Sequence, residues 1–181
     1  MCAGTEEIVP CSEYRPVVLI AQSDEDDLLT IANAARKYNK FDVVTTTTGQ
    51  GIIDNVNKFC FDAIVLGLKF PDITGATVAY LVHQFDPLVS VGFLSVYNSN
   101  IMITMAQDLN CRFWNKTERF KDLDSLCKDV YKLAIEMPCD NKSRIIKRAY
   151  TKPAREEYLK YGKLRVPDSI AQVVQQRKEI R

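Results

Sequence analysis

The stretch FDAIVLGLKFPDITG, Phe61 to Gly75, decides the fold. Its first half is an almost wholly apolar run of β-branched and aliphatic residues, the pattern of a strand covered on both faces and central in a parallel sheet. Its second half breaks with Pro71 and Gly75, which bracket a turn before the helical pattern TGATVAYLVHQF. Gly67 sits near the end of the apolar run, where glycine weakens a strand and marks either a close approach or a missing side chain.

Outward from this stretch the same rhythm repeats in both directions. VVLIAQ (17–22) is a first strand, followed by a helix over DEDDLLTIANAARKYN with acids in its first turn and bases in its last, matching the helix dipole. FDVVTTTT (41–48) is a β-branched second strand, Gly49 to Gly51 a glycine loop, and Ile52, Ile53, Val56 and Phe59 keep helical spacing after it. VSVGFLSV (89–96) is a fourth strand, SNIMITMAQDLN a fourth helix with Asn98 or Ser99 as its polar cap, CRFWN (111–115) a fifth strand and RFKDLDSLCKDVYKLAIEM (119–137) a fifth helix. Strands alternating with helices predict an α/β fold: a five-stranded parallel, doubly wound, flavodoxin-like sheet with helices on both faces, and functional loops at the carboxyl ends of the strands.

The chain has 181 residues, 46% hydrophobic and 26% charged, enough for one good-sized core. We divide it into a lead (1–15), the α/β domain (16–137) and a basic helical extension (138–181). The net charge of +1 hides an asymmetry: residues 1–137 carry 12 basic and 18 acidic side chains, a net of −6, whereas residues 138–181 carry 12 and 5, a net of +7. Pro153, Gly162 and Pro167 break the extension into short helical segments, one with the apolar stripe Ile170, Val173 and Val174. No apolar run approaches the roughly 20 residues needed to cross a bilayer, and MCAGTEEIVP lacks the basic, apolar start of a signal peptide. A cytoplasmic protein without membrane association is therefore expected. The six cysteines stand singly and His83 is the sole histidine, so neither a zinc site nor a redox dithiol is expected. TTTTGQG (45–51) has the hydroxyls and glycines of a phosphate loop, but it follows the second strand rather than the first.

Taken together these residues resemble the receiver domain of bacterial two-component response regulators, over roughly Val17 to Met137. Pro71 and Gly75 match the family's loop after the third strand, Ser95 its small hydroxyl residue, Phe113 its aromatic switch position, Lys116 its characteristic lysine and Gly49 the usual glycine before the second helix. Thr117 departs from the proline that usually follows the lysine. The family's chemistry, as the resemblance implies it, needs an aspartate nucleophile and an acidic pair that together hold magnesium. Here the nucleophile position falls on Gly67 and the acidic pair on Gln22 and Ser23. Sliding the first strand by two residues would offer Asp24 and Glu25 but would break the match of Asp26, Asp27 and Leu28 with the helix start. The acids nearest Gly67, Asp62 and Asp72, lie five residues away, about 16 Å along an extended strand.

The resemblance thus implies a degenerate pocket of Gly67, Gln22, Ser23, Ser95 and Lys116, in which Lys116 is the main charge and hydrogen-bonds Gln22 or loop carbonyls, the alternative being that it binds a small anion. It implies no cofactor, no metal and no catalysis: a pseudo-receiver acting as a signalling adaptor through protein contacts. The partner would be a sensor kinase, another signalling protein or a second copy of the chain. Its interaction face would include Ile101, Met105, Phe113, Trp114 and Phe120. Two alternatives stand beside it: a transcriptional regulator binding nucleic acid through the basic tail, and a residual phosphoacceptor using a displaced acid.

Overall fold

The computed structural model describes residues 15–59, 61–86 and 89–135. Five parallel strands, β1 (Val17–Ala21), β2 (Asp42–Thr46), β3 (Ala63–Leu66), β4 (Ser90–Ser95) and β5 (Arg112–Asn115), pair in the order 2-1-3-4-5. This is the doubly wound order in which the chain reverses direction across the sheet next to β1, opening a crevice at the strand ends. β3 lies in the middle, and each of its four residues is buried, as its apolar run requires.

Each strand presents alternate residues to two separate cores. On one face α2 (Gly49–Lys58), α3 (Gly75–Phe85) and α4 (Asn100–Asp108) cover Leu19, Ala21, Ile64, Leu66 and Phe93. On the other, α1 (Glu25–Tyr38) and α6 (Leu123–Ile135) cover Val18, Ile20, Val65, Leu94 and Trp114. The helices start on polar caps: Asp24, Thr48, Thr74 and Ser99 each accept a backbone N–H from three residues on. α1 ends on Asn39 in the left-handed region, φ 56°, a conformation asparagine tolerates.

Two local expectations are corrected. Gly49 to Gly51 form no loop; they are the first turn of α2, begun by the Thr48 hydroxyl, which accepts from Gly51 N at 3.0 Å. The fifth helix does not start at Arg119. Asn115 caps a single turn, α5 (Lys116–Arg119), the chain turns, and Asp122 accepts from Ser125 N at 2.9 Å to begin α6. Among the described residues no helix is long and apolar enough to cross a membrane. The basic extension expected over 138–181, its stripe Ile170–Val174 included, lies outside the described residues, as do Cys2, Cys11, Cys60 and Cys139.

Candidate functional site

The carboxyl ends of β1, β3, β4 and β5 bring Gln22, Gly67, Ser95 and Lys116 together. Parallel register does this directly: Ala21 pairs with Leu66, so Gln22 and Gly67 follow side by side, and Ser95, the last residue of β4, pairs with Asn115, which Lys116 follows. Gly67 prolongs the ladder by one bond, its N–H donating to Ala21 O at 3.0 Å.

Gln22 fills the centre. Only 3% exposed, it donates from Nε2 to Leu94 O at 3.4 Å and accepts at Oε1 from Lys116 Nζ at 3.3 Å. A Cβ placed on Gly67 would stand 3.3 Å from that same Oε1, so the glutamine amide lies where a side chain at 67 would begin. The φ of Gly67 is outside the left-handed region, and nothing in its backbone demands glycine. Gly75 is the opposite case. A Cβ there would meet the carbonyl oxygen of Gly67 at 2.1 Å, because the start of α3 packs directly on the chain leaving β3, with Gly75 N donating to Leu68 O at 2.8 Å.

Lys116 does more than the predicted bond to Gln22. Its ammonium also makes an ion pair with Asp27, in the first turn of α1, with side-chain exposures of 15% and 30%. Lys116 was expected as the main charge of the pocket; Asp27, which the sequence reading did not include, supplies a counter-charge. The sequence carried a signal for this. Asp27 lies four residues before buried Ile31 and beside buried Leu28, and an acid on the apolar side of a helix calls for a partner.

The other candidate residues serve elsewhere. Ser23 is exposed. The buried Ser95 accepts from Tyr97 N at 3.1 Å, shaping the turn after β4. Tyr97 in turn receives a bond from Lys69 Nζ at 2.8 Å, which lowers the phenol's pKa and links the loops after β3 and β4. Asp24 caps α1 and Glu25 is exposed on its first turn. Asp62 is buried at the amino end of the sheet, where it accepts from Val17 N at 2.8 Å.

Asp72 closes the phosphate-loop question. Its two carboxylate oxygens accept from Gly49 N at 2.9 Å and Gln50 N at 2.7 Å, so an internal carboxylate occupies the start of α2. Those bonds, Gln50's foremost, hold the Asp72 carboxyl below its usual range.

The five residues expected on one interaction face are divided. Ile101 is 75% exposed on α4, and Met105 and Phe113 are half-buried against the α2–α3–α4 core. Trp114 is buried on the opposite side, its ring lying over Gly92 where no Cβ would fit, and Phe120 packs half-buried against that second core. Trp114 is therefore a core residue, because adjacent strand residues point to opposite faces.

No family model matches the sequence, and no curated protein matches it. Solved structures match its fold. The receiver domain of a Francisella response regulator, 19% identical, aligns over 65% of this chain and 98% of its own with a TM-score of 0.58. The phosphorylated cyanobacterial phytochrome response regulator RcpA, also 19% identical, aligns over 68% and 96% with a TM-score of 0.59. The Vibrio cholerae chemotaxis protein CheY4, 15% identical, aligns over 65% and 99% with a TM-score of 0.58. What these proteins share with the chain at such identities is the arrangement from β1 to α6, which has the fold of response-regulator receiver domains.

Proposed function

We propose that the chain is a pseudo-receiver, a signalling adaptor of the two-component type that works by protein contact and not by accepting a phosphoryl group. The observation carrying this reading is the Gln22 amide lying against Gly67 while Asp27 pairs with Lys116. A phosphoacceptor pocket concentrates carboxylates around magnesium, a hard cation that takes oxygen ligands and favours charged ones. At these three positions the side chains are an amide, a hydrogen and an exposed hydroxyl, and Asp27, the carboxylate that reaches Lys116, is already engaged by it. That donor set does not fit magnesium.

The polar groups at the site are matched to one another. Glutamine and aspartate share the lysine's donors, and the protein holds one arrangement without a ligand. The displaced acids of the phosphoacceptor alternative are committed: Asp62 to the amino end of the sheet, Asp72 to α2 and Asp24 to α1. With Trp114 in the core, partner contact narrows to the α4 side, where Ile101 is exposed beside Met105. The partner is a signalling protein in the cytoplasm, a sensor kinase being the first class to try.

Incubation of the full chain with acetyl phosphate and magnesium, followed by intact mass, tests the reading. No phosphoryl adduct is expected, and none from Gly67→Asp, whose new carboxylate meets Gln22 and lacks the acidic pair. A stoichiometric adduct on either protein refutes it.

A further inference from the structure

Between α3 and α4 lies an open groove of about 750 Å³, far from the Gln22–Lys116 cluster in character: it is lined chiefly by Ala76, Thr77, Tyr80, Ile101, Met105 and Leu109. Tyr80 is 56% and Ile101 75% exposed, so the groove leaves two large apolar side chains facing water. The one charged residue lining it is Asp108. Asp108 sits in the last turn of α4, a turn with no basic residue, where an acid opposes the helix dipole and an added cation relieves it.

The chain itself contains a segment of matching chemistry. Beyond Ile135 run 46 more residues, ending in SIAQVVQQRKEIR, Ser169 to Arg181. Ile170, Val173 and Val174 follow helical spacing behind Ser169, a residue type favoured at helix starts, and Arg177 keeps the same spacing, four residues after Val173 and three after Val174. One base on an apolar stripe faces one acid in an apolar groove. The spacing agrees as well: Ile170 to Arg177 is seven residues, as is Ile101 to Asp108, about 10.5 Å along either helix.

We propose that the C-terminal segment Ser169–Arg181 docks as an amphipathic helix in the α3–α4 groove of its own domain, parallel to α4, with Ile170 beside Ile101 and Arg177 paired to Asp108. Reach is ample. The 33 residues between Ile135 and Ser169 span about 110 Å when extended and about 30 Å as a coil, enough to pass around the β5 edge from the α6 face to the α4 face. Tethering at that length keeps the segment at an effective concentration near the millimolar range, so a weak intrinsic affinity suffices. A protein partner using α4 would then have to displace the tail. The docking itself does not depend on whether the strand-end pocket takes phosphate, and its test is separate from the acetyl phosphate assay.

The test uses the full-length chain with Ile101 replaced by a benzoylphenylalanine photocrosslinker, irradiated at low micromolar concentration and mapped by peptide mass. The expected product has monomer mass and joins position 101 to residues 169–181; the joint Val173→Asp and Val174→Asp substitutions should reduce it at least tenfold. Asp108→Lys should weaken it severalfold, and Asp108→Lys combined with Arg177→Asp should restore it. Crosslinks between two chains assign the groove to a second copy, and crosslinks to other segments or none to the tail leave the groove open; each of these results overturns the proposal. An adduct unchanged by the Val173 and Val174 substitutions overturns it too.

Discussion

Gly67 and Gly75, eight residues apart in one loop, should respond in opposite ways to the same added methyl group. At Gly75 an alanine Cβ would lie 2.1 Å from the Gly67 oxygen and 2.9 Å from the Leu68 Cα, both backbone atoms held by the sheet. The start of α3 must retreat by roughly 1 Å to reach ordinary contact distance. That retreat breaks the Gly75 N to Leu68 O bond and disturbs Val78, Ala79 and Val82 in the core beneath. A lost buried hydrogen bond costs about 1 kcal/mol and overpacking about 1–3 kcal/mol more, so Gly75→Ala should destabilise by about 2–4 kcal/mol. At Gly67 the Cβ meets the tip of a flexible glutamine at 3.3 Å, and the two bonds holding that tip are long, 3.3 and 3.4 Å. Gln22 can shift at small cost, while alanine narrows the unfolded ensemble and returns about 0.4–1 kcal/mol. Gly67→Ala should therefore fall within about 1 kcal/mol of the parent. Urea unfolding at constant m-value measures both. If Gly67→Ala proves as costly as Gly75→Ala, the backbone requires glycine at 67 after all. The picture of a strand end from which a side chain is absent, its space taken by Gln22, would then fail.

Three further outcomes follow from contacts at and around the site. A double-mutant cycle over Asp27→Asn and Lys116→Met should show a coupling of about 1–2 kcal/mol in urea unfolding, because the pair is partly withdrawn from water; a coupling near zero would mean Asp27 does not hold the lysine. Asp72 has a folded-state pKa below its unfolded value, so its contribution is complete above the unfolded value and fades as pH falls through the folded one; Asp72→Asn should flatten the acid limb of the stability curve below about pH 4, and an unchanged limb would refute the α2 cap. Burial pushes the Cys111 thiol up to about 12 and the Cys127 thiol up to about 11, the latter helped by Asp124, so a thiol reagent at pH 8 should leave both unmodified until the protein unfolds, and fast labelling of either would contradict their burial.

What the sequence made legible was whatever repeats with a period or depends on one residue's backbone chemistry. The apolar run 63–66 reads as a covered strand and is one, and Ser99, one of the two caps offered for the fourth helix, stands at its start. Pro71 and Gly75 announced the turn before α3, whereas the close approach read into Gly67 is found at Gly75. Boundaries depending on a single side-chain bond were harder to read: Asp122, which restarts α6 after a one-turn α5, lies within a stretch of continuous helical spacing. Trp114 was placed on the interaction face for a different reason. Phe113 and Trp114 are neighbours in sequence, and a strand sends neighbours to opposite cores. Asp27 was the largest omission, since its partner Lys116 is 89 residues away and no local pattern names it.

That ion pair changes what a switch in this protein can be. A ligand moves a conformational equilibrium only by its differential affinity for two states, and a pocket yields such affinity when it holds charge that the protein leaves uncompensated. Here the lysine's charge is met by Asp27 and one of its donors by Gln22, so an incoming anion must compete with a carboxylate from the same chain, and an incoming cation meets a lysine. An anion at the lysine therefore gains less there than at an uncompensated charge. Under the proposed reading the strand ends therefore fix the shape of the domain, and regulation moves to surfaces whose partners can leave without exposing a buried charge. The α3–α4 groove is such a surface: apolar, open and bordered by a single carboxylate at the end of α4. Emptying it strands no lysine and breaks no strand pairing, so occupied and empty forms can be close in energy, as a reversible contact requires.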